Sequence, residues 1–427
     1  MSLRRVLLLA YYFPPTPSAG SGRMGGLAKY LPRFGWEATV ITPARAERAT
    51  RGLRVVETPD ADLAVDLKRR LGLRPDAALK DLVWSGGGNP SRGLRLKARL
   101  IDQVKALVAV PDTNRGWIRI AVDAARNLQR AQRFDALLTT SPPPSVHVAG
   151  RRIVGVHRLP WVADLRDLWW DDRYSTAPRW RRTLDRRLEV RTLAHATALV
   201  TVSEPLAAEL GNLHARCPVH AILNGFDPEL VNPGSPLEPV LTLTHTGTLH
   251  QGRRDPTLLF AAVARLVACG AVPRDRIRIR LFTRHEPWVA ALARDYQIED
   301  VVEMPVWAPT AEVIQAQREA QVLLLLHWGE EREAGVVTAK VFEYLAARRP
   351  ILVLGGGPGV LPRLLEETAA GIQLTEPDRL EAYLVECWHA IQRDGAVPWR
   401  GRPDVIERYS HLRMAREFAA VLDAVSG

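Results

Sequence analysis

Cysteine, lysine and long apolar runs are all scarce in this chain. The three cysteines, Cys217, Cys269 and Cys387, lie far apart and form no C-x-x-C pair. Their odd number and wide spacing exclude a disulfide framework and a zinc ribbon, leaving reduced thiols as the reading. No apolar run reaches the roughly 18 residues that a membrane-spanning helix needs. The opening "MSLRRVLLLAYYFPP" pairs two arginines with a short apolar run that has no small-residue cleavage site. It reads as a first buried strand rather than a signal peptide, so a cytoplasmic protein is expected. Lysine supplies only six of the 58 basic residues, and Lys340 is the only one after Lys105. The formal net charge of +11 calls for anionic partners. No compact basic tract with interleaved aromatics stands out, so nucleic acid is not an expected partner.

What remains is the composition of a folded protein, 47% apolar and 25% charged over 427 residues. At roughly 100–200 residues per domain, that length implies two or three domains. Short apolar runs alternate with helical patterns. "RRVLLLA" (4–10), "WEATVIT" (36–42), "FDALLTT" (134–140), "LPWVADL" (159–165), "ATALVTVS" (196–203) and "VHAILN" (219–224) read as buried strands. Residues 25–34, 117–130, 145–155 and 178–194 read as helices, with Trp117 in the core. The proline- and glycine-rich "GFDPELVNPGSPLEP" (225–239) reads as a linker. The wiring then restarts, with strands at 240–247, 278–283, 322–328 and 350–357 and helices at 256–268, 311–320 and 338–347. Residues 403–425 carry the pattern of one amphipathic helix. The expected fold class is α/β: two doubly wound, Rossmann-like domains facing a cleft that both line with loops. The expected boundaries are 1–230, with a helical insertion at about 62–130, then 231–402, then a C-terminal helix at 403–427 packing back toward the first domain.

"YYFPPTPSAGSGRMGG" contains a literal G-x-G-x-x-G at Gly20, Gly22 and Gly25. A dinucleotide fingerprint needs its first glycine directly after strand one and an acidic residue at the end of strand two. Here Gly20 follows Ala10 by ten residues, and the second strand ends Ile41-Thr42-Pro43. A nicotinamide or flavin site fails on both counts. The expectation is instead a long loop feeding a helix N-terminus, whose bare N–H groups attract anions.

Two further stretches carry charge into such a setting. In "EREAGVVTAKVFEYLA", Lys340 and Glu343 stand three apart and share a helix face. A helix N-terminus, a compact ammonium and a carboxylate make a seat for a nucleoside diphosphate: phosphates on the N–H groups and Lys340, ribose hydroxyls on Glu343. In "THTGTLHQGRRDP", a strand ends, Gly247 turns the chain, and Arg253 and Arg254 follow, whose guanidinium forks suit phosphate oxygens.

Together with "PDTNRGW", "TTSPPPSVHVAG", "WVADLRDLWW", "ALVTVSEPLAAEL" and "ILNGFDP", these stretches resemble the GT-B glycosyltransferases over nearly the whole chain. The group resembled is the large retaining, family 4-like one that includes bacterial transferases for lipopolysaccharide, capsule and exopolysaccharide. The resemblance implies a nucleotide-sugar donor, a polysaccharide, lipid-linked or other glycan acceptor, and no metal or other cofactor. It implies donor contacts at Gly20, Gly22, Gly25, Gly247, Thr248, Arg253, Gly335, Val336, Lys340 and Glu343. Two departures stand out. Thr248 occupies the position of the family's first diphosphate cation, for which Lys340 is a candidate replacement, and Gly335 stands where the first carboxylate of the family's E-x7-E motif belongs. Either "GVVTAK" handles the sugar through backbone and lysine, or Glu331 or Glu333 reaches it.

His147, Asp164, Arg166 and Asp167 are candidate helpers from the first half, beside Arg253 and Lys340 as catalytic cations. "ADLRD" is not a compact D-x-D, in keeping with a metal-free site. The basic, leucine-striped "SRGLRLKARLIDQVKALVAV" (91–110) suits peripheral contact with an anionic membrane face. A sugar-nucleotide epimerase on the same fold, or a degenerate binding partner without turnover, are the rival readings.

Overall fold

The computed structural model describes residues 3–16, 18–45, 52–61, 109–157, 159–170, 178–283, 286–305, 309–327, 335 and 337–427. The chain divides into two compact units, Met1–Ile222 with Ala415–Gly427, and Leu223–Met414.

In the first unit the elements run β1 (Arg4–Ala10), α1 (Ala19–Tyr30), β2 (Trp36–Pro43), β3 (Arg54–Thr58), α2 (Trp117–Ala131), β4 (Ala136–Ser141) and α3 (Ser145–His157). β5 (Trp161–Leu165), α4 (Arg179–Leu193), β6 (Ala198–Thr201), α5 (Glu204–Leu213) and β7 (Val219–Ala221) follow. The seven strands form one sheet in the order β3-β2-β1-β4-β5-β6-β7, paired in parallel throughout. β1, β4 and β5 are central strands buried along nearly their whole length, and β1 accordingly carries the unbroken apolar run VLLLA. α2 buries Trp117, Ile118, Ala121, Val122 and Ala125, a stripe of helical period. Trp117 is fully buried, with its indole N–H donated to the Thr58 hydroxyl at 2.8 Å and the Tyr11 ring edge-on at 5.5 Å.

The second unit repeats the pattern: β8 (Leu241–Thr246), α6 (Thr257–Ala268), β9 (Ile277–Phe282), α7 (Pro287–Asp295), β10 (Val302–Glu303), α8 (Thr310–Arg318), β11 (Val322–His327) and α9 (Lys340–Ala347). It continues with β12 (Ile351–Gly355), α10 (Val360–Thr368), β13 (Gly371–Leu374), α11 (Pro377–Asp394), α12 (Pro403–Ile406) and the start of α13 (His411–Ser426). Its six parallel strands are ordered β10-β9-β8-β11-β12-β13. Both sheets wind outward in two directions from an inner pair, β1/β4 in one and β8/β11 in the other. Loops leaving the C-terminal ends of such a pair diverge and open a crevice, the standard ligand position of a doubly wound sheet.

Three sequence expectations are corrected. Residues 225–239 are not a free linker: Asn232 hydrogen-bonds through its backbone N–H to Ala346 and through its amide to Ala347, both at 2.8 Å, so the segment is part of the second unit. The break between units falls at 222/223 rather than 230/231. Residues 403–425 are not one helix. A 3-10 turn (Glu407–Tyr409) and extended Ser410 interrupt it, where the chain pairs with Phe226: the Phe226 N–H donates to Tyr409 O at 3.0 Å and the His411 N–H to Phe226 O at 2.7 Å. Gly225 is required at this crossing, since a Cβ would lie 2.8 Å from Tyr409 O. Most of α13 (Ala415 onward) belongs to the first unit. There Phe418 is buried under the Arg23 guanidinium, 5.0 Å from the ring, and Asp423 accepts from the Trp36 indole at 2.7 Å and pairs with Arg4. Finally, Gly20 and Gly22 lie on α1 rather than in the loop before it, together with Gly25, which was expected to be helical. Ser18 caps that helix by accepting from the Ser21 N–H at 3.1 Å.

Candidate active site

The second unit's crevice is lined by the turn after β8 and by the first turn of α9. α9 is almost wholly buried: Val341, Phe342, Tyr344, Leu345, Ala346 and Ala347 pack into the core. Only Glu343 is exposed, with Lys340 half-buried one turn earlier, so the i, i+3 pair shares the helix's one open face. Both sit in the first turn, at the positive end of the helix dipole, where the Val341 and Phe342 N–H groups donate to Thr338 O and Ala339 O, both at 3.2 Å. Ala339, the residue before it, makes no side-chain cap.

Gly247 ends β8 with φ +139°, a left-handed value that favours glycine. A Cβ there would overlap Cε and Nζ of Lys340, so the glycine lets the lysine cross the strand end. Burial lowers the Lys340 pKa, Glu343 opposes that, and Arg254 adds to it. Arg254 also acts on His245, whose pKa is lowered to about 4 by burial first and then by Lys340 and Arg254. His245 is therefore neutral, with its Nδ1 bonded to Leu324 O at 3.0 Å. Arg254, half-buried, is thus the arginine whose charge reaches Lys340, while Arg253 and Thr248 are exposed on the same turn. Gly335 is buried. Val336, Glu331 and Glu333 lie outside the described residues, as does the basic stretch up to residue 108.

A polar bracket supports the pair from behind. The Tyr344 hydroxyl donates to Leu324 O at 3.1 Å and accepts from the Thr246 N–H at 3.0 Å. Buried Gln317 on α8 donates to the Thr246 hydroxyl at 3.0 Å and to Glu343 Oε2 at 3.2 Å. Surrounding protein raises the Glu343 pKa, against the Gln317 hydrogen bond and the Lys340 charge. Water still reaches this side chain and screens that effect. Gln317, Thr246 and Tyr344 escaped the sequence reading because a glutamine in a helix looks like surface until its partners are known.

The first unit's crevice lies beyond β1 and β4. A Cβ at Gly20 would overlap the Arg166 guanidinium, and one at Gly25 would lie 2.6 Å from Pro14 Cγ. These glycines serve close packing, and none has positive φ. Arg166 also donates to Pro142 O at 3.3 Å, while its Nε is buried without a partner. Two candidate helpers are placed differently from expectation. Asp164 is fully buried and held by Arg23 (2.9 and 3.3 Å) and by the Thr140 hydroxyl (2.8 Å), so it serves as the counter-ion of a core arginine. His147 is also fully buried, bonded to the Thr139 hydroxyl at 2.8 Å, and burial lowers its pKa to about 3. It is neutral and buried in the first unit. Asp167 is exposed beside Arg166.

Among the described residues no group of three His, Cys, Asp or Glu side chains is assembled to hold a metal ion, and no helix is long and apolar enough to cross a membrane. The family model Glycosyltransferase Family 4 matches residues 24–230. No curated protein sequence matches the chain. Solved structures do. One is Alr3699/HepE from Anabaena in complex with UDP and glucose, at 14% identity and TM-score 0.60, covering 99% of this chain and 100% of that one. Another is a glycosyltransferase from Rickettsia africae, at 12% identity and TM-score 0.60, covering 100% and 99%. WaaG, a glycosyltransferase involved in lipopolysaccharide biosynthesis, aligns at 12% identity and TM-score 0.52, over 99% and 100%. The two parallel, doubly wound sheets are those of these structures, so the chain has the GT-B fold, and its residues 24–230 match the Glycosyltransferase Family 4 model.

Proposed function

We propose that this protein transfers a sugar from a nucleoside-diphosphate donor to a polysaccharide, lipid-linked or other glycan acceptor, with retention at the anomeric carbon. The observation that carries the reading is the Lys340/Glu343 pair on the open first turn of α9, beside Gly247 at the strand-order reversal of the second sheet. HepE, which shares the fold, has been captured with UDP and with UDP-glucose, which supports a nucleotide sugar as donor. In this reading the positive N-terminal end of α9, Lys340 and the Arg253–Arg254 turn receive the diphosphate, and Glu343 accepts from the ribose hydroxyls. Gly335 borders the sugar. The bond from the anomeric carbon to the phosphate oxygen breaks and the acceptor oxygen bonds on the same face. Its proton passes to the departing phosphate, whose charge these cations stabilise. No resident metal or cofactor takes part.

Incubation with radiolabelled UDP- and GDP-sugars and glycan or polyprenyl-phosphate acceptors tests this, with the anomeric configuration of the product read by NMR. A new glycosidic bond of retained configuration, formed equally well in EDTA, is expected. An isomerised donor, or binding without turnover, overturns it. The net charge of +11 supports peripheral contact with an anionic membrane face, which flotation with phosphatidylglycerol vesicles against neutral ones checks.

A further inference from the structure

We propose that Gln317 is a positioning residue that sets the Glu343 carboxylate and thereby the preference for a ribose-bearing nucleoside diphosphate, an inference that rests on the donor reading above. Glu343 stands on an exposed stem with three rotatable bonds, and such a side chain samples many rotamers. A carboxylate that must accept from two neighbouring hydroxyls binds better when its plane is fixed before the ligand arrives, because the ordering loss is then not charged to binding.

Gln317 has the geometry for this. Its amide carries two N–H donors, and Nε2 lies within reach of two acceptors at once, Thr246 Oγ1 at 3.0 Å and Glu343 Oε2 at 3.2 Å. The Thr246 end is rigid, because Tyr344 holds both its backbone N–H and its hydroxyl and is itself fixed on Leu324 O. The helix carrying Gln317 is pinned too: the Arg318 guanidinium donates to Leu230 O at 2.8 Å, and Arg349 Nε donates to Arg318 O at 2.7 Å. The glutamine is 2% exposed, so water does not compete for its amide. A rigid strand end thus passes one directed N–H to Glu343 Oε2 and leaves Oε1 for the ligand.

Calorimetry with UDP and 2′,3′-dideoxy-UDP, and with GDP and 2′,3′-dideoxy-GDP, tests the inference on wild type, Gln317→Leu, Gln317→Glu and Glu343→Ala. Gln317→Leu keeps the volume and removes both donors. Gln317→Glu keeps the shape and sets an acceptor against an acceptor. Wild type is expected to favour the ribose form by about tenfold, and all three variants to fall below about threefold, as when a directed polar contact is lost. A merely structural role for Gln317 would shift the unfolding midpoint and leave this ratio unchanged. If Glu343→Ala abolishes the preference while both Gln317 variants keep it, the positioning role is overturned and the donor reading stands. If Glu343→Ala keeps the preference, or wild type shows none or binds neither diphosphate, the ribose assignment falls and this inference falls with it.

Discussion

At Gly247 and Gly20 a methyl group would collide with the tip of a long cationic side chain, whereas at Gly371 it would collide with the backbone oxygen of Ile351. The difference decides what each substitution damages. A guanidinium or ammonium can swing away, so Gly20→Ala is expected to leave the unfolding midpoint nearly unchanged while displacing Arg166 and lowering sugar transfer. The β12–β13 pairing cannot swing away, and Gly371→Ala should cost about 1–3 kcal/mol, as overpacking does. Thermal unfolding and transfer rates on the two variants check this, and the reverse pattern would refute it. Lys340→Ala and Glu343→Ala are each expected to weaken donor binding or turnover at least about tenfold, a loss of about 1.4 kcal/mol. Wild-type activity in either, with the circular dichroism spectrum intact, would remove the site assignment. Lys340 was legible in the sequence because lysine is rare here, and Glu343 because it stands three residues on. That Arg254 rather than Arg253 acts on Lys340 was not, since adjacent residues of a turn diverge in ways that spacing does not encode.

Elements differ in how clearly they announce themselves. Central strand β1 announces itself as a continuous apolar run because helices cover both faces. The edge strand β3, "RVVET", is half-exposed and mixed, and nothing in its composition separates it from a loop. α1 begins six residues before the helical pattern at Gly25, because glycines hide a helix whose small residues are needed for contacts with Arg166 and Pro14. That helix is tied to β5 by Arg23 and Asp164, both with side chains fully out of water. Removing one member of a buried pair leaves the other charge unsatisfied, so Asp164→Ala should destabilise by about 3–5 kcal/mol. Asp123→Ala breaks only exposed pairs with Arg119 and Arg126 and should change stability by less than about 1 kcal/mol. Denaturant titration of both variants decides it, and equal effects would mean that the Arg23 pair is not a structural tie.

Over the whole molecule, two buried histidines make stability depend on acid. Folding holds the His147 pKa at about 3 and that of His245 at about 4, below the ordinary 6.5, so the folded chain stays unprotonated where the unfolded chain takes up protons. Stability is therefore full above about pH 6.5 and falls as pH drops from there toward 4 and 3, by about 2 kcal/mol for each histidine at pH 5. Replacing His147 with Asn should flatten the fall in stability between pH 7 and pH 5, and an unchanged slope would exclude His147 as its source. At this scale the sequence by itself determined the α/β class, the repeated strand–helix wiring and the Lys340/Glu343 pair, because periodicity, burial on both faces and a rare residue type are properties of the chain. The tertiary structure alone decided that residues 225–239 belong to the second unit and that most of α13 belongs to the first. It also decided that Asp164 and His147 are core residues and that Gln317 holds Glu343. Each of these depends on which distant segments meet, and the partners are up to 419 residues apart, as Arg4 and Asp423 are, so no local pattern records them.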